Sequence, residues 1–410
     1  MGTGAGDVQI LRSLAEKVAE ISKKPVQEEK RLLWTKSNSL EKTRPLVFLQ
    51  VGDWDAMGTE VINDRLECGD PLFREIEFKL KYAIFKDDFG DDEVIEPWVT
   101  VGPVFVSGGW GGDVQKIVSE RAGGAYKLLP YLKEIEDIGK LKVPKHEIDR
   151  VKSNERYSII EDAIGDILEV DRGRGTAYMY WGGDIATCLA QLVGLEELMY
   201  YVYDRPEWMH EILAFMRDGI LKAQQEAEEA GDWTLTCHTN QAMSYGGGLP
   251  APKANSGPVT RDRLWGFFAA QEFALISPEM HEEFMLNYQL PIMEKFGMTA
   301  YGCCEDLTRK IKILRKASNL RRISVTPWAD VGKCAEQIQR DYVMSWRPNP
   351  SSTICNDWDP ALIRKTVREA MEAARGCIVD ITLKDVQTVH GEIWRFKEWI
   401  KTVRDVSDNY

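Results

Sequence analysis

Short apolar runs, each closing on a polar turn and most followed by an amphipathic stretch, recur along this chain. The first is Pro45–Val51, which runs into Gly52 and Asp53. Similar runs are Glu93–Val101, Ala177–Trp181, Trp233–His238, Leu264–Ala269, Met298–Cys303, Arg322–Val325, Tyr342–Trp346 and Cys377–Thr382. Each reads as a strand, and a strand apolar without alternation is one buried on both faces. Between them the apolar positions recur at helical spacing, predicting helices from about Ile185, over Pro206–Ala230, and over 278–296, 306–317, 331–340 and 359–375. Before the first strand, Ile10, Leu11, Leu14, Val18 and Ile21 mark a helical stripe within 8–44.

Alternating strand and helix units imply a parallel sheet covered by helices. About eight strands fit a closed (β/α)8 TIM barrel, a single α/β domain over 45–410 behind an N-terminal helical extension over 1–44. An open dinucleotide-binding sheet would show a glycine-rich turn opening a helix after its first strand, and Gly108–Gly112 has neither the spacing nor the helix. The long segments 102–126 and 240–262 carry much glycine and proline, as lids or binding loops do.

Charge and cysteine usage narrow the partners. The net charge is −13, from 52 basic against 65 acidic residues. A surface that tracks phosphates needs a basic excess, so nucleic acid is not an expected partner. No stretch has the apolar length of a membrane span, and Met1–Gln9 is glycine-rich without an apolar leader core. The expectation is a cytoplasmic protein whose 8 cysteines are reduced. None lies in a paired C-x-x-C, so any metal site must be assembled by the fold.

In a parallel barrel, chemistry sits at the carboxyl ends of the strands. His238 closes one run and could ligate metal or transfer a proton; packed against a loop, it would do neither. Alternation sends Cys303 and Glu305 to one face and Cys304 to the other, so the first two could share a metal or be plain buried and solvated groups. Gln271 and Glu272 close another run, where a carboxyl must bind metal or substrate, or pair with an arginine. Asp385 and His390 follow the last strand, the first a candidate ligand, the second a candidate proton donor or a surface residue. Arg347 could clamp a carboxylate or form a structural ion pair. Trp54, Trp98, Tyr178, Trp181, Tyr245, Trp328 and Trp346 fall near strand ends and could wall a planar ligand or fill the core.

Three stretches resemble the uroporphyrinogen-decarboxylase-like superfamily. Gly194–Glu207 is similar to its helix pair joined at an Asp-x-Pro-Glu corner, Ile276–Phe284 to its Ser-Pro-Glu helix start, and Tyr301–Glu305 sits where members carry His-x-Cys-Gly. The resemblance runs from about Pro45 to Val406. It implies either cofactor-free decarboxylation of a tetrapyrrole or methyl transfer involving a corrinoid carried by a partner protein, usually with zinc. The decarboxylase branch has an Arg-Gln-Ala-Gly-Arg motif after its first strand; this chain has Gln50–Trp54 there, without arginine. In the zinc-dependent methyltransferases a His, a Cys and a last-strand Cys bind the metal, positions that fall on Tyr301, Cys303 and the neighbourhood of Asp385. A harder ligand set, drawn from Cys303, Glu305, His238 and Asp385, would make zinc a Lewis acid toward oxygen. The resemblance thus implies an O-demethylating methyltransferase that takes a methyl group from a methoxylated aromatic substrate. Glu272, His238, His390 and Asp385 are its candidate catalytic groups; Trp181, Tyr245, Gln271, Tyr301, Trp328 and Arg347 would bind substrate. No corrinoid-binding Asp-x-His-x-x-Gly is present, so the corrinoid would come from a partner. A decarboxylase or other lyase and a non-catalytic corrinoid- or small-molecule-binding barrel are the alternatives, and a homodimer is open.

Overall fold

The apolar run after Pro45 forms β1 (Leu46–Gln50), the first strand of the central sheet. The structure, a computed structural model, describes residues 4–51, 57–106, 109–111, 115–118, 126–176, 185–408 and 410. Helices α1 (Ala5–Ser22) and α2 (Pro25–Asn38) precede β1, so the N-terminal helical stripe is two helices that part at Lys23 and Lys24. Proline opens the second, where its missing N–H costs nothing. Then come α3 (Pro71–Phe89), β2 (Trp98–Val101), an antiparallel pair β3 (Gln115–Val118) and β4 (Tyr126–Leu129), α4 (Arg150–Ile164) and β5 (Glu169–Arg172). Helices α5 (Ile185–Val193), α6 (Leu195–Asp204) and α7 (Pro206–Glu229) lead to β6 (Trp265–Phe268). The rest alternates: α8 (Pro278–His281) and α9 (Asn287–Met293) around a wider turn, β7 (Met298–Tyr301), α10 (Ile311–Leu314), β8 (Leu320–Val325), α11 (Val331–Ile338), β9 (Val343–Trp346), α12 (Pro360–Ala373), β10 (Ile378–Lys384) and α13 (Trp394–Ser407).

Six strands pair in parallel in the order β1-β10-β9-β8-β7-β6, so the first and last strands of the sheet's sequence are neighbours. This is a curled half-barrel of the kind a TIM barrel contains. Among the described residues no strand joins β1 to β6, and β2 and β5 form a separate parallel pair. The expected strand Ala177–Trp181 and residues Trp54 and Tyr178 lie outside the described residues. The run Trp233–His238 is a turn, not a strand: the Cys237 N–H bonds back to the Thr234 carbonyl at 2.9 Å, and the Thr234 hydroxyl bonds the Cys237 sulfur at 3.4 Å. Local bonding of this sort competes with strand pairing.

Among the described residues, both outer strands of the sheet are capped by side chains. On β1 the Val47 and Leu49 amides donate to the carboxylates of Asp92 and Asp91, at 2.8 and 2.9 Å, and the Asp92 amide donates to the Val47 carbonyl at 2.8 Å. Lys86, fully buried, closes the system by donating to the Leu49 carbonyl at 2.5 Å and to Asp91 and Glu93. On β6 the Trp265 amide donates to His238 Nδ1 at 3.1 Å, and its carbonyl accepts from Thr239 at 3.1 Å. A bare strand edge is a pairing hazard, and these contacts remove it.

The helices lie outside the sheet over one large apolar core, in which Trp399, Phe396, Ile381 and Leu383 are wholly buried. A second core joins Leu11, Ala15 and Val18 of α1 to Phe73, Ile76 and Leu80 of α3 and Val99, Val101 and Val170 of the small strand pair. Helix α2 plugs the amino ends of the sheet strands. Its Asn38 accepts from Arg322 at 2.8 Å, and Arg322 also bonds Asp380 at 2.6 Å. Ser345 and Thr382 add hydroxyl bonds to the same carboxylate, at 2.9 and 2.8 Å. A buried ion pair persists only when its remaining lone pairs are met, as they are here. No single described helix is long and apolar enough to cross a membrane.

Candidate active site

At the carboxyl ends of β7, β9 and β10 the chain places Cys303, Cys304, Arg347, Lys384 and Asp385 around one cavity of about 180 Å³, with Trp328 and the prolines Pro327, Pro348 and Pro350 at its wall. Alternation along β10 turns Asp380, Thr382 and Lys384 to the sheet's inner face. The Lys384 ammonium there reaches the Cys303 sulfur at 3.2 Å and Cys304 at 3.7 Å. Gln241 donates to the same Cys303 sulfur at 3.3 Å. Arg347, only 2% exposed, is fixed by Ser324 at 2.6 Å, by Gln241 and by the Cys303 carbonyl. Its guanidinium therefore shapes the floor and adds positive charge.

This arrangement favours a thiolate on Cys303. The Cys304 thiol, 3.5 Å away, donates to it, and the Lys384 and Arg347 charges and the Gln241 amide add to that against the cost of burial. The Cys303 pKa falls from 9.0 to about 6, while Cys304 is pushed upward by its anionic neighbour. The two thiols thus share one proton, as a coupled pair does. Cys303 is buried and Cys304 exposed.

Glu305 does not face the cavity as a free carboxylate. It is 1% exposed and accepts from the Ala270 and Cys303 amides, each at 2.8 Å, tying the end of β6 to the end of β7. Beyond β6, Glu272 takes a 2.7 Å bond from the Thr187 hydroxyl, and Gln271 donates to both Thr187 and Glu272, at 3.4 and 3.3 Å. The other Glu272 oxygen has no partner among the described residues, and burial raises the pKa of this carboxyl above the ordinary glutamate value. Asp385 bends away from β10 with φ 58° and stays 3.4 Å from Lys384. His390 lies exposed in the loop beyond, with φ 54°. Trp328 is 72% exposed at the rim.

Three other candidates sit elsewhere. His238 caps the amino end of β6, where burial depresses its pKa to about 4. It stands there because Trp233–His238 turns instead of running along the sheet. Tyr245 is at the same end, its carbonyl held by Asn38 at 2.6 Å and its hydroxyl by Arg31 at 3.2 Å and by Glu96. Tyr301, fully buried, points into the helix layer, where it bonds His281 and Gln289, each at 2.8 Å. Trp181 lies outside the described residues.

Lys384 and Gln241 are the site residues that sequence reasoning left without a role. A lysine closing an apolar run looks like a solvated strand end. Its register partner, Gln50 on β1, was equally silent, yet Gln50 Oε1 is buried without a partner among the described residues.

No family model matches the chain, and no curated protein matches it. Among solved structures, a methyltransferase from Methanosarcina mazei is similar over 92% of this chain and 97% of its own, with a TM-score of 0.50 and 11% identity. The likeness is one of fold.

Zinc, which the family resemblance implies, finds no matching donor set. Among the described residues no three His, Cys, Asp or Glu side chains converge to hold a metal. Cys303 is flanked by an ammonium and a guanidinium, which repel a dication, His238 is at the other end of the sheet, and both Glu305 oxygens already accept amides.

Proposed function

We propose that this chain is a methyltransferase that takes a methyl group from a methoxylated, single-ring aromatic compound and passes it to the cobalt of a separate corrinoid protein. The observation that carries this reading is the cavity of about 180 Å³ at the strand carboxyl ends, with a cation and a buried thiolate side by side in its wall. Its size suits one aromatic ring, since a cavity of about 150 Å³ accepts benzene. The shared fold with a methyltransferase is consistent with the reading.

Breaking a methyl ether leaves an aryl oxide, so the enzyme's task is to accommodate negative charge on that oxygen. The partner's corrinoid, when bound, supplies the cobalt nucleophile that receives the methyl group. Lys384 has three N–H donors and three neighbours, the two thiols and Asp385 at 3.4 Å, so the N–H on the Asp385 side is the one that can turn into the cavity. One directed into the cavity stabilises the oxide as the carbon–oxygen bond lengthens. Glu272, a buried carboxyl beyond β6 and outside the cavity wall, has its pKa raised by burial and is the acid assigned to return the proton that completes the phenol. Trp328 offers a ring face at the rim on which the aromatic substrate stacks. Closure by the incoming corrinoid protein excludes water, and the rigid strand ends aim the methyl group outward.

The test is to mix the purified chain with cobalt(I) corrinoid and a panel of methoxylated monocyclic aromatics. The reading expects methyl-cobalt absorbance to grow with at least one donor and in proportion to enzyme. Carbon dioxide release without any methyl-cobalt would replace it with a lyase.

A further inference from the structure

A second, larger cavity, of about 550 Å³, opens at the opposite end of the sheet, where β1, β9 and β10 begin. Its wall carries Lys42, Arg340 and Arg375 and no aspartate or glutamate. None of the three cations makes a hydrogen bond or ion pair with a described residue; Arg375 only overlies the Tyr410 ring at 5.7 Å. Of the acids next to them in sequence, Asp341 pairs with Arg315 at 2.8 Å, Glu372 accepts from the Tyr410 hydroxyl at 3.5 Å without losing its charge to a cation, and Glu41 is exposed beside Lys42. In a chain of net charge −13, three uncompensated cations around a hollow are conspicuous by their position. Helices α11, α12 and α13 all end within a few residues of the cavity wall, and each helix carboxyl end carries about half a negative charge. Three full positive charges exceed those three halves, and none of the three is held by an ion pair with a described residue, so an entering anion meets free cations. Its floor is apolar, made by Met371, Ile378 and Val379, with Thr43 as a hydroxyl donor. The volume is within the range of about 300–1,000 Å³ typical of small-molecule sites.

We propose that this cavity binds a small organic polyanion, a phosphorylated or polycarboxylated compound whose apolar part rests on the Met371, Ile378 and Val379 floor. The charge count calls for a ligand with two or more negative charges, and the floor for one with a carbon skeleton. The seven residues of β10 separate the cavity from Lys384, about 20 Å at the usual strand rise. The bound anion is therefore an effector or a stabiliser and takes no part in chemistry at the other end.

Calorimetric titration of the full chain at low salt tests this, with pyrophosphate, citrate and phenyl phosphate as probes. At least one probe binds, binding weakens as sodium chloride is added, and each of R340A and R375A weakens it about tenfold, as loss of one charge-assisted contact should. Tighter binding of pyrophosphate or phenyl phosphate assigns the site to phosphates, and tighter binding of citrate assigns it to carboxylates. Both arginines are exposed, so the variants keep their fold, which an unchanged melting temperature without ligand verifies. No heat with any probe at millimolar concentration, or binding unchanged in the R340A/R375A double variant, overturns the proposal.

Discussion

At the scale of single residues, the protonation of two adjacent sulfurs separates this site from an ordinary buried pair of cysteines. A thiol reacts with alkylating agents only as thiolate. Cys303, with its pKa brought down to about 6, is thiolate at pH 7, whereas Cys304 is thiol. Iodoacetamide labelling followed by mass spectrometry across pH 5 to 10 should therefore place the carbamidomethyl group on Cys303, rising through a midpoint near 6. Lys384→Met removes one cation beside the sulfur, so the midpoint should move up toward 9.0, the ordinary thiol value. Labelling that starts only above pH 8 in the unaltered chain would show that the Cys304 thiol, Lys384 and Arg347 together do not hold this sulfur as thiolate. None of this was legible in the sequence. Adjacent cysteines before a glutamate predicted an alternation of faces, and burial of Cys303 and Glu305 with exposure of Cys304 follows it. The cations lie 44 and 81 residues further on, and no local pattern announces them.

At the scale of elements, the legible features were those set by local apolar runs. Val343–Trp346 and Ile378–Lys384 are wholly buried and read directly as strands. Trp233–His238 misled because its alternation of apolar and hydroxyl side chains mimics a strand, while short-range bonds from Thr234 and Cys237 win. The edge of β1 was also illegible, because Asp91 and Asp92 in sequence are simply two acids. In the fold they replace a neighbouring strand, and Asp91 neutralises the buried Lys86. Asp91→Ala should lower unfolding stability by about 1–3 kcal/mol, because Lys86 keeps only Glu93 and the buried Leu49 amide loses its acceptor. The Lys86→Met/Asp91→Ala pair should not recover the loss, since Glu93 is then left without its ammonium. Urea denaturation of the three proteins checks this. A loss within about 0.5 kcal/mol for Asp91→Ala, the size of an ordinary surface change, would show that the edge cap is not structural.

At the scale of the whole molecule, the sheet separates two ends with different chemistry. The carboxyl ends hold the thiol pair, Lys384 and the Glu272 carboxyl. The amino ends are plugged by α2, the Arg322–Asp380 pair and the Arg31–Tyr245–Glu96 cluster. This polarity is the usual division of a parallel α/β barrel, with catalysis at one end and stability at the other. It explains why His238 and Tyr245, expected at the active end, serve the opposite one. The proposed methyl transfer depends on the active end, and most of all on one ammonium.

Spectrophotometric methyl transfer by wild type, Lys384→Met and Glu272→Gln, with the best methoxylated donor and cobalt(I) corrinoid, tests that dependence most directly. Lys384→Met should lose about a hundredfold or more of the rate, the scale of one preorganised donor at a developing oxyanion. Glu272→Gln should lose a comparable factor, with the wild-type pH dependence on the alkaline side abolished. Rates equal to wild type in both variants would contradict it.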